Sequence, residues 1–286
     1  MSVVNTNVSA SIAQAALMRN ERALGSAMEQ LSTGRKINSA GDNASGLAIS
    51  ARMTSQIRGL DQAVRNANDA ISMINTAEGA LDEVTDMLQR MRELAVQSGT
   101  GTTSSNDRVF LDAEFDHLIA EIDRIADNTQ WNGRNILDGT AGGATSTVAF
   151  QVGMDPTQTV SLSFGNITDT ATKVMGSLAG GLQLNATTIA SAIDNASSVM
   201  VATDLAIEAI STQRATFGAV SNRLEHSIDN LTNVKTQSEA SRSRILDTDY
   251  AAATSELART QIIQQAGTAM LAQANQLPQT VLALLQ

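Results

Sequence analysis

His117 and His226 are the side chains best suited to metal binding or proton transfer in a chain that contains no cysteine. Neither lies in an H-E-x-x-H arrangement, and without thiolates a metal site would need both to converge with a carboxylate. Both occur in stretches of helical heptad patterning, which makes them helix-surface or packing residues. Gly99-Thr100-Gly101 and Gly142-Gly143 fit neither dinucleotide nor P-loop spacing, and no lysine follows where a phosphate would need one. Asp247-Thr248-Asp249 begins like a calcium loop, but its sixth position is Ala252 rather than glycine, so it reads as a cap or turn. The sequence is therefore read as a non-enzyme with no catalytic, cofactor or metal residues.

The elements that would have positioned such groups are unusual in composition. The 286 residues include 2 prolines, where average usage would give roughly fourteen. Aromatics are Trp131, Tyr250 and five phenylalanines, yet 42% of residues are hydrophobic. Scarce proline and aromatics with abundant alanine point to long helices. The absence of cysteine excludes a disulfide scaffold.

Net charge is −10, and it is unevenly distributed. Residues 1–60 carry six Arg/Lys against three Asp/Glu, residues 61–200 seven against eighteen, and residues 201–286 six against eight. An acidic middle makes nucleic acid an unsuitable partner. No charged side chain precedes Arg19 and none follows Arg259. Uncharged ends of this kind read as surfaces to be buried against other subunits. Neither end has the basic and apolar regions of a secretory signal, and no apolar run is long enough for membrane insertion. By these rules alone the chain would be placed in the cytoplasm.

Seven-residue spacing is the strongest physical signal. Leu17, Leu24 and Leu31 form a first series, followed by turn and N-cap residues from Ser39 to Gly46. Leu60, Ala67, Ile74, Leu81, Leu88 and Ala95 form the next, with Ile57, Val64 and Ile71 in the alternate positions. An uninterrupted helix of nearly fifty residues would be about 70 Å long. Ile210, Phe217, Leu224, Leu231 and Ile245 continue the pattern, with Ser238 its polar member. Ile263, Met270, Leu277 and Leu284 make the last series, in which Pro278 should kink or end the helix near Leu277, or let it bend or continue with one hydrogen bond missing.

Between the helices, Asp107 to Asp127 reads as an amphipathic helix with Phe110, Leu111, Phe115, Leu118, Ile122 and Ile125 on its apolar face. Alternation at Val148, Phe150, Val152 and at Val160, Leu162, Phe164, around a Met154-Asp155-Pro156 turn, predicts a β-hairpin. Residues 165–195 are poorly specified. The fold class expected is mainly α: an elongated antiparallel coiled coil or helical bundle with a small β-hairpin tip and paired terminal helices.

The segments around the two breaks carry a family resemblance. Leu31-Ser32-Thr33-Gly34-Arg35-Lys36-Ile37-Asn38-Ser39-Ala40-Gly41-Asp42-Asn43-Ala44-Ser45-Gly46-Leu47-Ala48-Ile49 resembles the N-terminal signature of bacterial flagellins. Ser243-Arg244-Ile245-Leu246-Asp247-Thr248-Asp249-Tyr250 and the stretch from Gln264 to Gln279 resemble its C-terminal partner. The likeness covers residues 1–135 and 200–286, so the chain looks like a short flagellin without large outer variable domains.

The resemblance implies a subunit that polymerises with itself into a propulsive extracellular filament. Residues 1–42 and 247–286 would form an inner tube whose ends order on assembly. Residues 43–246 would form a long-helix outer tube with its hairpin around 147–165. Leu17, Leu24, Leu31, Ile263, Met270, Leu277 and Leu284 are the expected filament-core residues. Export would use an uncleaved signal, replacing the cytoplasmic placement, with an export chaperone on residues 245–286. Hook-associated junction and cap proteins would be further partners. The segment from Leu88 to Ser98 is similar to the one read by the vertebrate Toll-like flagellin receptor, with Gln89, Arg90, Leu94 and Glu114 as candidate contacts. Arg90 and Leu94, four residues apart, should share a helix face. The alternatives are a hook–filament junction protein and a cytoplasmic coiled-coil adaptor.

Overall fold

The computed structural model describes residues 7–143, 145–167 and 189–284. Five helices are described: α1 (Val8–Thr33), α2 (Ala40–Ser98), α3 (Ser105–Asn128), α4 (Ile189–Leu246) and α5 (Tyr250–Leu284). The short strands β1 (Gln130–Trp131) and β2 (Arg134–Asn135) pair antiparallel, as do β3 (Thr147–Gln151) and β4 (Thr159–Ser163). Most of the 165–195 connection, residues 168–188, lies outside the described residues.

Caps explain where these helices begin and end. Asn7 caps α1 by accepting the Ala10 N–H at 3.0 Å, and Gly34 ends it at φ +68°, a left-handed conformation that glycine adopts without a β-carbon penalty. The expected break shows at Asn43, whose backbone leaves the helical region while its Oδ1 accepts the Gly46 N–H at 2.9 Å. Asp42 accepts the N–H groups of Ser39 and Asn38, which hold its carboxyl below the usual carboxylate range. α3 opens with a reciprocal capping box between Ser104 and Asp107. α5 does not end at Leu277 but continues past Pro278 to Leu284.

The chain divides into two compact units, residues 1–57 with 236–286 and residues 58–235. The division falls inside α2 and α4 rather than at the helix breaks.

In the unit formed by residues 58–235, Leu60, Ala67, Ile74, Leu81, Leu88 and Ala95 are all buried, as their spacing requires. Each fully buried Leu or Ile stabilises by about 1.5–3 kcal/mol. The second buried series is Ala63, Ala70, Ala77, Val84 and Met91, whereas Val64 and Ile71 are only half-buried. The bulky residues had suggested the other flank, but small alanines are what allow neighbouring backbones to approach. On α4 the series Ile210, Phe217, Leu224 and Leu231 is buried and extends backwards through Thr203 to Ala196. α2 and α4 run antiparallel: ion pairs join Asp61 to Lys235, Asp82 to Arg214 and Arg92 to Asp204. From Asp61 to Arg92 and from Lys235 back to Asp204 the chain advances 31 residues each way.

The β3–β4 hairpin turns Val160 and Leu162 inward, and Phe164 packs against Phe217 with ring centroids 5.3 Å apart. The smaller hairpin went unread, although its Asn132-Gly133 turn has both φ values positive (52° and 76°) and is a strong local signal. The apolar face of α3 also differs from expectation. Phe110 is 73% exposed, and the inward place one turn from Leu111 is taken by Arg108, only 2% exposed. Arg108 Nε donates to the Ser98 carbonyl at 3.1 Å and Nη2 to the Thr100 carbonyl at 3.2 Å, so it holds the end of α2 and the loop after it.

In the unit formed by residues 1–57 and 236–286, α1 and α5 pack antiparallel along their length. The α1 seam is Ala13, Asn20 and Ala27 alternating with Leu17, Leu24 and Leu31. The α5 seam is Ala253, Thr260, Gly267 and Ala274 alternating with Leu257, Gln264 and Leu271. At one end a backbone tie closes the pair: Lys36 N–H donates to Leu246 at 2.6 Å and Thr248 N–H to Gly34 at 3.1 Å.

Candidate functional site

The first candidate surface is the terminal helix pair. Leu17, Leu24 and Leu31 are half-buried within the chain, in the seam with α5. Ile263 and Met270 stand outside that seam, 41% and 65% exposed. The side chains of Leu277 and Leu284 lie outside the described residues. Val8, Ile12, Met18, Met28 and Ile262, which spacing alone had not singled out, are more than half exposed as well. Large apolar side chains on helices with no charge before Arg19 or after Arg259 form the kind of uncovered apolar surface that marks an interaction site.

The second candidate lies where α2 and α3 run side by side. Arg90 Nε donates to Glu114 Oε1 at 2.9 Å and Nη1 to Glu93 Oε2 at 3.0 Å. Glu114 first, then Glu93, raises the Arg90 pKa above its ordinary value, so its charge is secure at any working pH. Gln89 is exposed beside it. Leu94 is not on this surface: it is completely buried among the core residues of its unit. Four residues along a helix are neighbours, yet the flank of α2 that carries Leu94 turns inward while Arg90 remains about half exposed. Glu93 was missed, although its three-residue spacing from Arg90 is the signal for a helical ion pair.

Neither surface has the make-up of a reaction centre. Among the described residues no group of three or more metal-ligating side chains converges, and His117 and His226 are exposed helix residues. A cavity of about 60 Å³ in the larger unit is lined mainly by apolar side chains such as Leu81, Leu88, Ile122 and Phe164. No helix among the described residues is long and apolar enough to cross a membrane.

Residues 4–142 match the family model of the bacterial flagellin N-terminal helical region, and residues 200–285 match that of the flagellin C-terminal helical region. The chain belongs to the flagellin family. It is 48% identical over 260 residues to the flagellin of Halalkalibacterium halodurans, covering 91% of each chain. It is 42% identical to the flagellin of Bacillus subtilis, covering 99% of each. The crystal structure of Bacillus cereus flagellin is similar in fold, with a TM-score of 0.50 and 33% identity over 58% of this chain and 88% of that one. This short flagellin is thus a structural protein rather than an enzyme, with a mainly helical fold and a small antiparallel hairpin.

Proposed function

We propose that the paired terminal helices are the surface through which this chain joins its neighbours in the filament. As a flagellin, the chain is a structural subunit that polymerises into the bacterial flagellar filament. The observation that supports assigning assembly to the ends is the exposure of Ile12, Met18, Ile263 and Met270 on the charge-free ends of the two helices. Copies packed head to tail bury such faces without closing, and a helical polymer results. Leu17, Leu24 and Leu31 then act indirectly, by holding α1 against α5, while Ile263 and Met270 face the next subunit. Leu277 and Leu284 extend that face. Residues 1–42 and 247–286 line the inner tube, and residues 43–246 build the outer one.

Deleting residues 260–286 tests this. The truncated chain stays soluble, keeps an unchanged protease-resistant core and no longer polymerises under salting-out conditions. Filaments formed by the truncated chain would overturn the assignment.

The same exposed surface supports a chaperone that covers residues 245–286 before export, since an uncovered apolar helix favours aggregation. Export proceeds without a cleaved signal, and hook-associated junction and cap proteins meet the same ends. The Arg90 surface is read by the vertebrate Toll-like flagellin receptor, with Gln89, Arg90 and Glu114 as contacts. The exposure of the Arg90–Glu114 pair supports this reading; Leu94 contributes from beneath. Arg90→Asp reverses the charge facing Glu114 and Glu93 and abolishes activation by monomer in a receptor reporter assay. Undiminished activation would rule the surface out.

A further inference from the structure

We propose that Asn20 sets the axial register of the α1–α5 pair. It is the polar residue in an α1 seam otherwise made of Ala13, Leu17, Leu24, Ala27 and Leu31, and it is 8% exposed. Its amide donates to the Thr260 carbonyl at 2.8 Å and to Gln264 Oε1 at 3.1 Å. Thr260 and Gln264 are in turn the two polar residues of the α5 seam between Ala253 and Ala274. The polar layers of the two helices therefore meet each other.

A slip of one heptad in either direction would break this match. Asn20 would face Ala253 and Leu257, or Gly267 and Leu271, none of which has a side-chain acceptor. Gln264 would face Ala13 or Ala27. The Thr260 acceptor is a backbone carbonyl, which every alignment offers, so what a slip removes is the Gln264 side-chain partner; matching polar layers of this kind is how a single asparagine in a helical seam selects one alignment.

A close contact accompanies this alignment. Leu17 lies over Gly267, where a β-carbon would sit 3.3 Å from the leucine Cγ and Cδ1. Further along the pair, Asn7 Nδ2 donates to the Ala274 carbonyl at 2.7 Å, in the same antiparallel alignment. The alignment is a property of one chain and does not depend on whether the pair goes on to polymerise. The backbone tie at Gly34–Lys36 also favours it, so the deciding question is whether that tie suffices alone.

Disulfide trapping in the full-length chain answers the question, because no native cysteine interferes. Ala27→Cys with Ala253→Cys, both buried positions one heptad from Asn20 and Thr260, reports the native alignment. Ala13→Cys with Ala274→Cys meets only after a one-heptad slip. With Asn20 present, the first pair closes within single chains and the second does not. Adding Asn20→Leu keeps an apolar seam and raises the slipped product about tenfold relative to the native one. An unchanged ratio overturns the proposal, because the tie alone would then set the alignment. Loss of both products overturns it too, because Asn20 would then hold the pair together rather than align it. Failure of the Ala27–Ala253 positions to close with Asn20 in place overturns the alignment itself.

Discussion

Arg90 and Leu94, one turn apart on α2, have roles that mutagenesis can separate. Arg90 is held upright by Glu114 and Glu93 at the surface, while Leu94 fills the core directly below. Leu94→Ala removes a fully buried side chain and costs about 2–5 kcal/mol, seen as a lower melting temperature by circular dichroism. If the proposed receptor surface is right, Arg90→Asp is expected to lower activation with a melting temperature close to that of the parent chain. Loss of receptor activation in the Leu94 variant is therefore expected to follow its loss of structure, and the two variants together tell contact from support. Arg108 is a second residue whose role was hidden. Arg108→Met keeps much of the volume but removes the two guanidinium bonds to the Ser98 and Thr100 carbonyls, costing about 1–3 kcal/mol in denaturant unfolding. Nothing in local spacing distinguishes an arginine that folds inward to cap a neighbouring helix from one that reaches into water.

Helix ends decide the elements. The α3 start depends on Ser104 and Asp107 satisfying each other's backbone N–H groups. The Ser104 hydroxyl first, and its backbone N–H second, hold the Asp107 carboxyl below its ordinary value of 3.8. A depressed carboxyl pKa stabilises the folded state above 3.8, and that contribution is lost as pH falls below it through the folded value. Amide protection at residues 106–110 is thus expected to weaken on acidification, after correction for intrinsic exchange, and Asp107→Asn to remove this dependence. Ser104→Ala costs about 1 kcal/mol at neutral pH. The caps at Ser39 to Gly46 were legible because Asp42 and Asn43 act on backbone three or four residues away. The inward flank of α2 was less so. Heptad spacing showed that one side of α2 is buried, but two flanking series competed, and the alanines at 63, 70 and 77 gained burial because close neighbours came to that side. Phe110 was misplaced for the same reason: its neighbour Leu111 takes a half-buried place and leaves the ring in solvent.

At the scale of the whole molecule, the chain combines a unit with a continuous core and a helix pair that leaves many of its large apolar side chains uncovered. Removing residues 260–286 should therefore separate folding from polymerisation, as measured by limited proteolysis and sedimentation of salted-out filaments. Heptad spacing, cap residues, charge-free ends and the flagellin-like signatures were all present in the one-dimensional order. They determined that the chain is helical, where its helices break and to which family it belongs, because each acts over only a few residues. Tertiary structure alone decided that Leu94 faces inward, that Arg108 caps a neighbour, and that Asn20 meets Gln264 across 244 residues of chain. Those outcomes depend on which helix arrives opposite which face, and a heptad repeat leaves that choice open to several alignments of nearly equal apolar burial until a polar mismatch disfavours all but one.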